Sequence, residues 1–298
     1  MGAWIIVVLL SAQAPAVAIT LDDGPHVGAT PRMTAPQRNA ALLQALAKHH
    51  VRAGLFVTVN NGANTKEGVA LLRAWGAAGH LIGNHTVTHP DLNAESTTLQ
   101  AYQDEVMACD AVIRTVPGYQ RLFRFPFLRE GKTPAKRDGM RAFLAQQGYR
   151  NAYVTLDTSD WRLDQHLGDQ LALHPALDLA PYRTAYLNHV WQRAQAYQEL
   201  SQRLLKRQIP QVMLLHHNLL NALFLEDVIA MFQRQGWTLV DPQKAYEDPV
   251  YQLQPDRAAP GQSLLLSLAR SRGMDLAPYA RLMDDADEDI ALLKRAGH

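Results

Sequence analysis

Short apolar, β-rich runs alternate along this chain with longer stretches whose apolar residues recur at helical spacing. Residues 17–21, 55–59, 81–83, 122–125, 152–156, 211–215 and 238–240 read as strands. Residues 37–50, 67–78, 96–116, 134–147, 183–207 and 223–235 read as helices; in the first of these Ala41, Leu42, Ala45 and Leu46 share one face. Such alternation predicts a parallel sheet covered by helices. About seven strand-led units between Val17 and Tyr246 suit a deformed (β/α) barrel, closed or nearly closed, better than an open doubly wound sheet. No G-x-G-x-x-G or P-loop pattern follows any strand, which removes the usual nucleotide-binding readings.

Three segments stand outside the alternation. Residues 162–181 form a long connection with scattered polar residues and read as a loop over the site. Residues 249–298 read as a C-terminal helical extension packed on the barrel, with helical runs at 263–271 and 278–295. Its acidic cluster, Asp284, Asp285, Asp287, Glu288 and Asp289, reads as a solvated face. Residues 1–16 carry an apolar run, Trp4 to Leu10, followed by small residues that allow cleavage after Ala14 or Ala16. That pattern resembles a signal segment, although no lysine or arginine precedes the run. A secreted or periplasmic location is the expectation, with residues 17–248 as the catalytic domain. The run is shorter than the roughly 20 residues of a membrane-spanning helix, so no stable membrane insertion is expected.

Composition changes this picture little. Of 298 residues 47% are hydrophobic, enough for a large core. Lysine plus arginine number 29 against 28 acidic residues, so no basic excess points to nucleic acid. The lone cysteine, Cys109, falls in a helical run and reads as a buried structural thiol.

The polar residues are more informative, because they cluster where strands should end. Thr20-Leu21-Asp22-Asp23-Gly24-Pro25-His26 closes the first strand and His85-Thr86-Val87-Thr88-His89-Pro90 follows the third. Arg124-Phe125-Pro126-Phe127, Asp157-Thr158-Ser159-Asp160-Trp161 and Leu214-Leu215-His216-His217 close three others. In barrels, reactive residues gather at the C-terminal strand ends. Adjacent carboxylates repel unless a cation or a proton relieves them. His85 and His89, spaced i, i+4, are expected on one side of a helical turn. Two histidines and a carboxylate make a three-ligand metal site with room for water and substrate.

These five clusters, in this order from Val17 to Val240, resemble the motifs of the NodB-type polysaccharide deacetylases, carbohydrate esterase family 4. The resemblance implies a NodB-type fold and one divalent metal, zinc first and cobalt or nickel as alternatives, on Asp23, His85 and His89. It implies that Asp22 is the catalytic base, held by Arg124, and that His216 is the general acid, tuned by Asp160. Phe127 would offer its backbone N–H to an oxyanion, and Trp161 with Leu214 would wall an acetyl-sized pocket. Phe127 stands where the family often has tyrosine, and His217 where aspartate is common. The implied partner is an acetylated glycan, peptidoglycan or chitin-like; no protein partner is expected. Two other readings stay open: an O-acetyl xylan esterase on the same site, and a glycan-binding protein without turnover. His26 lies beside the site. His49, His50, His80, His166, His174, His189 and His298 are expected at the surface or in caps, and Trp75, Trp191 and Trp237 in packing.

Overall fold

The computed structural model describes residues 14–256 and 261–298. The expected signal segment lies outside the described residues as far as residue 13. Strands and helices alternate: β1 (Ala16–Gly24), α1 (Ala35–Lys48), β2 (Gly54–Val57), α2 (Lys66–Ala77), β3 (Leu81–Asn84), α3 (Leu99–Ile113), β4 (Tyr119–Phe123) and α4 (Pro134–Gln146). Two short strands follow, β5 (Arg150–Asn151) and β6 (Leu156–Asp157), then α5 (Asp160–Leu173), α6 (Ala180–Leu205), β7 (Pro210–His216) and α7 (Leu219–Arg234). The chain ends with β8 (Thr238–Leu239), α8 (Pro242–Ala245), α9 (Leu264–Ser271) and α10 (Asp287–Arg295). Local sequence sets the helix starts. Thr34, Thr65, Thr98 and Thr133 each accept a first-turn N–H at the N-termini of α1 to α4, and Thr34 forms a capping box with Gln37.

All strand pairs are parallel, in the order β5-β4-β3-β2-β1-β7-β6, with β8 also pairing to β1. The two ends of this path are joined by only the four residues 152–155. Five peptide steps span at most about 18 Å, whereas six inter-strand spacings in a flat sheet cover about 29 Å. The sheet therefore curls into a half-barrel whose seam lies between β5 and β6. The expected strand at 152–156 is replaced by this crossing. Ala152 N–H donates to Phe123 on β4 and Thr155 N–H to Val212 on β7, so the segment leaves one edge for the other and joins no ladder of its own. The expected seven-stranded deformed barrel is otherwise what forms.

Val17, Ile19 and Leu21 of β1 are fully buried, and one continuous core runs from them through α6 and α7 to Leu265, Leu282 and Ile290 of the C-terminal segment. Cys109 is buried in the same core, and burial pushes its thiol up to about 12. Trp191, Phe232 and Trp237 pack edge to face. Among the described residues no helix is long and apolar enough to cross a membrane.

Several expectations need correction. Residues 162–181 are mostly the helix α5, not a loop over the site. Leu163, Leu167 and Leu171 recur every fourth residue and bury one face, while intervening polar residues masked that stripe. The helical run at 278–295 is broken. A 3-10 stretch, Ala277–Met283, ends before α10, with Ala286 between them at φ 62°, where no α-helix can continue. The acidic cluster is not simply solvated: Asp289 is buried and pairs with His189 at 2.7 Å, and Asp285 lines the main cleft. His80, His166 and His189 are buried rather than superficial.

Because the C-terminal helices share the core of the barrel, Leu265→Ala should cost about 2–4 kcal/mol and lower a single calorimetric melting transition. Two separate transitions would show that this segment unfolds on its own.

Candidate metal centre and the cleft around it

Since every strand is parallel, all C-terminal ends meet at one mouth, and the five polar clusters lie there. Asp22 and Asp23 end β1, His85 follows β3, Arg124 follows β4, Asp160 opens α5 after β6, and His216 ends β7. A cleft of about 520 Å³ holds Asp22, Asp23, His85, His89, Phe127, Trp161, Leu214 and His216 in its lining. Arg124 and Asp160 sit beneath that surface.

Asp23, His85 and His89 present one ligand atom each, all within 4.8 Å of one another. Asp23 Oδ1 lies 3.9 Å from His85 Nε2 and 3.8 Å from His89 Nε2. Ligands at about 2.1 Å in a tetrahedron stand about 3.4 Å apart, so this opening is slightly wider than a closed zinc shell. His85 Nδ1 lies 2.8 Å from the Arg124 carbonyl, to which it donates. That contact fixes the tautomer and leaves the Nε2 lone pair facing the centre. Burial pushes both imidazoles down to about 4, so both are neutral at neutral pH, the form that can bind a metal. Thr58 Oγ1 donates to Asp23 Oδ1 at 2.9 Å and orients it. The residues fit a divalent cation by donor type, protonation state and spacing.

The two histidines do not meet through a helical turn, as their spacing had suggested. Thr86 and His89 have φ of 72° and 57°, and this left-handed loop brings the rings to a centroid distance of 4.9 Å. Asp23, Phe127, Leu128 and Ser159 also have positive φ. Such conformations cost about 1–3 kcal/mol each in non-glycine residues and gather where a site over-determines the backbone.

Asp22 is 2% exposed and Arg124 1% exposed. Arg124 Nη1 donates to Asp22 Oδ1 at 2.7 Å and to Thr20 Oγ1 at 2.8 Å, Nε to the Ala152 carbonyl at 3.0 Å, and Nη2 to Tyr246 OH at 2.9 Å. The guanidinium also lies 4.0 Å from the Phe56 ring centroid. Burial pushes Asp22 up to about 6, although Arg124 and His216 pull the other way.

Across the cleft His216 Nδ1 lies 2.7 Å from Asp160 Oδ1. The fully buried Asp160 also accepts from the His216 backbone N–H at 3.0 Å, Asn218 Nδ2 at 3.0 Å and Asn221 Nδ2 at 2.6 Å. Burial alone would favour neutral His216. The Asp160 carboxylate, with Asp23 and Asp22 beyond it, outweighs burial and raises the imidazole to about 10. His217 faces the other way. It is buried with Nε2 3.0 Å from Asn39 Oδ1, and burial pushes it down to about 3. Phe127 is half exposed and meets His89 edge-on at 4.5 Å; Trp161 is 44% exposed at the rim.

Thr58, Tyr246, Asn218, Asn221, Ser159 and Asp285 were missed by sequence reasoning. Asn218 caps α7, a signal visible three residues before Asn221. Tyr246 lies 122 residues from Arg124 and carries no local signal.

Fold and cleft together define an α/β half-barrel with a two-histidine, one-carboxylate centre at its C-terminal mouth. Residues 11–152 match the family described as polysaccharide deacetylase, which the chain resembles over that segment. The matched segment contains Asp22, Asp23, His85, His89, Arg124 and Phe127 and stops short of Asp160 and His216. Over 110 residues the chain is 39% identical to a chitooligosaccharide deacetylase of Sinorhizobium fredii, covering 35% of this chain and 46% of that one. It is 33% identical over 157 residues to a chitin deacetylase of Colletotrichum lindemuthianum, covering 52% and 56%. The solved structure of the chitin deacetylase from that fungus superposes with a TM-score of 0.53 at 23% identity, covering 78% of this chain and 88% of that one. A peptidoglycan-N-acetylglucosamine deacetylase of Bacillus cereus is 26% identical over 146 residues, covering 49% and 46%. The chain thus spans about half the length of the curated relatives it matches.

Zinc added to the metal-free chain should raise its melting temperature, since saturation at a hundredfold excess over Kd stabilises by about 2.7 kcal/mol. His89→Ala should abolish that rise. An undiminished rise in the variant would place the metal elsewhere.

Proposed function

We propose that this chain is a metal-dependent deacetylase, releasing acetate from N-acetylated sugars of a chitin-like or peptidoglycan chain outside the cytoplasm. The observation that carries the reading is the pairing of Asp22 and His216, two titratable groups driven to opposite roles on one cleft. Asp22, an acid raised towards neutrality, is suited to take a proton. His216, a base raised above neutrality, is suited to give one.

A divalent cation, zinc by preference, on Asp23, His85 and His89 would supply Lewis acidity to the scissile carbonyl and to the attacking water. Asp22 is the base in this reading, kept ionised and aimed by Arg124. The backbone N–H of Phe127 donates to the oxyanion of the tetrahedral intermediate. His216 Nε2 carries the proton that the departing amine nitrogen requires, while Asp160 holds Nδ1 and sustains the imidazolium. Leu214 and Trp161 bound the space for the acetyl group. An amine is a poor leaving group until it is protonated, so a well-supported acid favours amide over ester substrates. A glycan-binding protein needs neither the base nor the acid.

The test is acetate release from N-acetylated glucosamine oligomers and from peptidoglycan fragments, with chelator and with added zinc. Zinc-dependent release is expected; none from any substrate by the zinc-loaded chain sinks the proposal. Asp22→Asn should lower kcat by about 10²–10⁴-fold while metal content, read by elemental analysis, stays at the parent level. Equal loss of metal would exchange the roles of Asp22 and Asp23. Asp160→Asn removes the charge that raises His216, so the alkaline limb of the kcat profile should move down by roughly one unit or more. An unmoved limb would take the acid role away from His216.

A further inference from the structure

The C-terminal segment does more than cover the barrel. It sets one carboxylate, Asp285, into the wall of the cleft beside Ser159 and Asp157. Ser159 Oγ donates to Asp285 Oδ1 at 3.2 Å, one residue before the Asp160 that holds His216. Two buried side chains of α6 fix this piece of chain. His189 lies between Asp289 Oδ2 at 2.7 Å and the Thr158 carbonyl at 2.5 Å. Arg193 donates to the carbonyls of Asp157, Leu282 and Asp284, tying both sides of the contact to one guanidinium. Ala286, fully buried at φ 62°, turns the chain directly after Asp285. The chain on both sides of Asp285 is thus fixed, while its exposed carboxylate has Ser159 as its side-chain partner.

Most other charges around the cleft are paired. Asp22 pairs with Arg124, Asp160 with His216 and Asp91 with Arg129. Asp23 belongs to the metal centre. Asp157 accepts the Ser159 N–H at 3.1 Å and faces the charge of Arg193. On the C-terminal segment Asp287, Glu288 and Asp289 pair with Arg162, Arg281 and His189. Among the described residues Asp285 has a hydroxyl partner and no ion pair.

A carboxylate on the acid side of a glycan cleft attracts cationic sugars and repels anionic ones. Each turnover of an N-deacetylase leaves a free amino sugar on the chain. We propose that Asp285 is a specificity-determining residue that binds the ammonium of a glucosamine unit near the unit being deacetylated. The chain would then prefer partly deacetylated, chitosan-like glycans over fully acetylated ones, and would disfavour sugars carrying a carboxylate. This inference rests on the deacetylase reading above and narrows its substrate class.

The test is calorimetric titration of the zinc-loaded, full-length chain with a glucosamine tetramer and with its N-acetylated counterpart, at mildly acidic pH. The parent should bind the amino tetramer more tightly, and Asp285→Asn should lower the ratio of the two affinities by about two- to fivefold, the size of one partly exposed ion pair. Asp285→Glu should retain most of the ratio, and raising salt from about 0.02 to 0.3 M should erode it in the parent. A ratio unchanged in Asp285→Asn, or two affinities falling together, overturns the proposal, since a merely structural carboxylate would act on both ligands alike. Acetate release from the same acetylated oligomer separates the two readings. Release with an unchanged ratio removes only the role of Asp285. Absence of release removes the deacetylase reading, while the affinity ratio still decides the role of Asp285.

Discussion

The ion pair between Arg124 and Asp22 is the constraint on which the cleft depends. Both groups are buried, and taking such charges out of water costs several kcal/mol per ion. The arrangement offsets that cost by using nearly every donor of the guanidinium: one carboxylate, two hydroxyls, one carbonyl and an aromatic face. Those partners come from β1, β2, the seam after β5, and Tyr246 following α8. One side chain therefore ties together strands on both sides of the half-barrel. The carbonyl of Arg124 also holds His85, so the same residue orients the base candidate through its side chain and a metal-ligand candidate through its backbone.

The two adjacent aspartates at the end of β1 illustrate how environment divides like groups. The strand's alternation sends Asp22 inward to Arg124. Asp23, with its positive φ, turns towards His85, His89 and Thr58. The two histidines at the end of β7 are divided too. His216 faces the cleft with a carboxylate behind it, whereas His217 is enclosed against Asn39 and Trp75 and stays neutral. Neighbouring residues on a strand point to opposite faces, which divides the His-His pair, whereas both aspartates line the cleft and are separated by the left-handed backbone at Asp23.

Much of this was legible beforehand. Strand and helix periods, and the repeated arrival of polar clusters at strand ends, gave the half-barrel and the residues that meet at its mouth. The failures have identifiable causes. The stripe Leu163, Leu167 and Leu171 in α5 was diluted by surrounding polar residues. The crossing at 152–155 has strand composition because its side chains are buried, but its hydrogen bonds run to two different edges. The i, i+4 spacing of His85 and His89 suggested a helical turn, whereas a loop with two left-handed residues brings them together. Tyr246 and Asp285 reach the site only through tertiary packing, and nothing near them in sequence marks their destination. The acidic run at the C-terminus looked uniform because composition does not distinguish Asp289, facing a buried histidine, from Asp287 in solvent.

The pairing of β1 with β7 has a consequence of its own. Asp22 and His216 are direct partners in that parallel register, so their backbones stand one inter-strand spacing apart, about 4.8 Å. The interval between the two residues is a ruler set by the backbone, indifferent to what the cleft holds. On the proposed reading, loops and the C-terminal segment could be rebuilt to choose among polymers, while the interval between the proposed base and the proposed acid would stay as the sheet dictates. That reading would assign chemistry and selection to different parts of the chain, so that the second could change while the first is held.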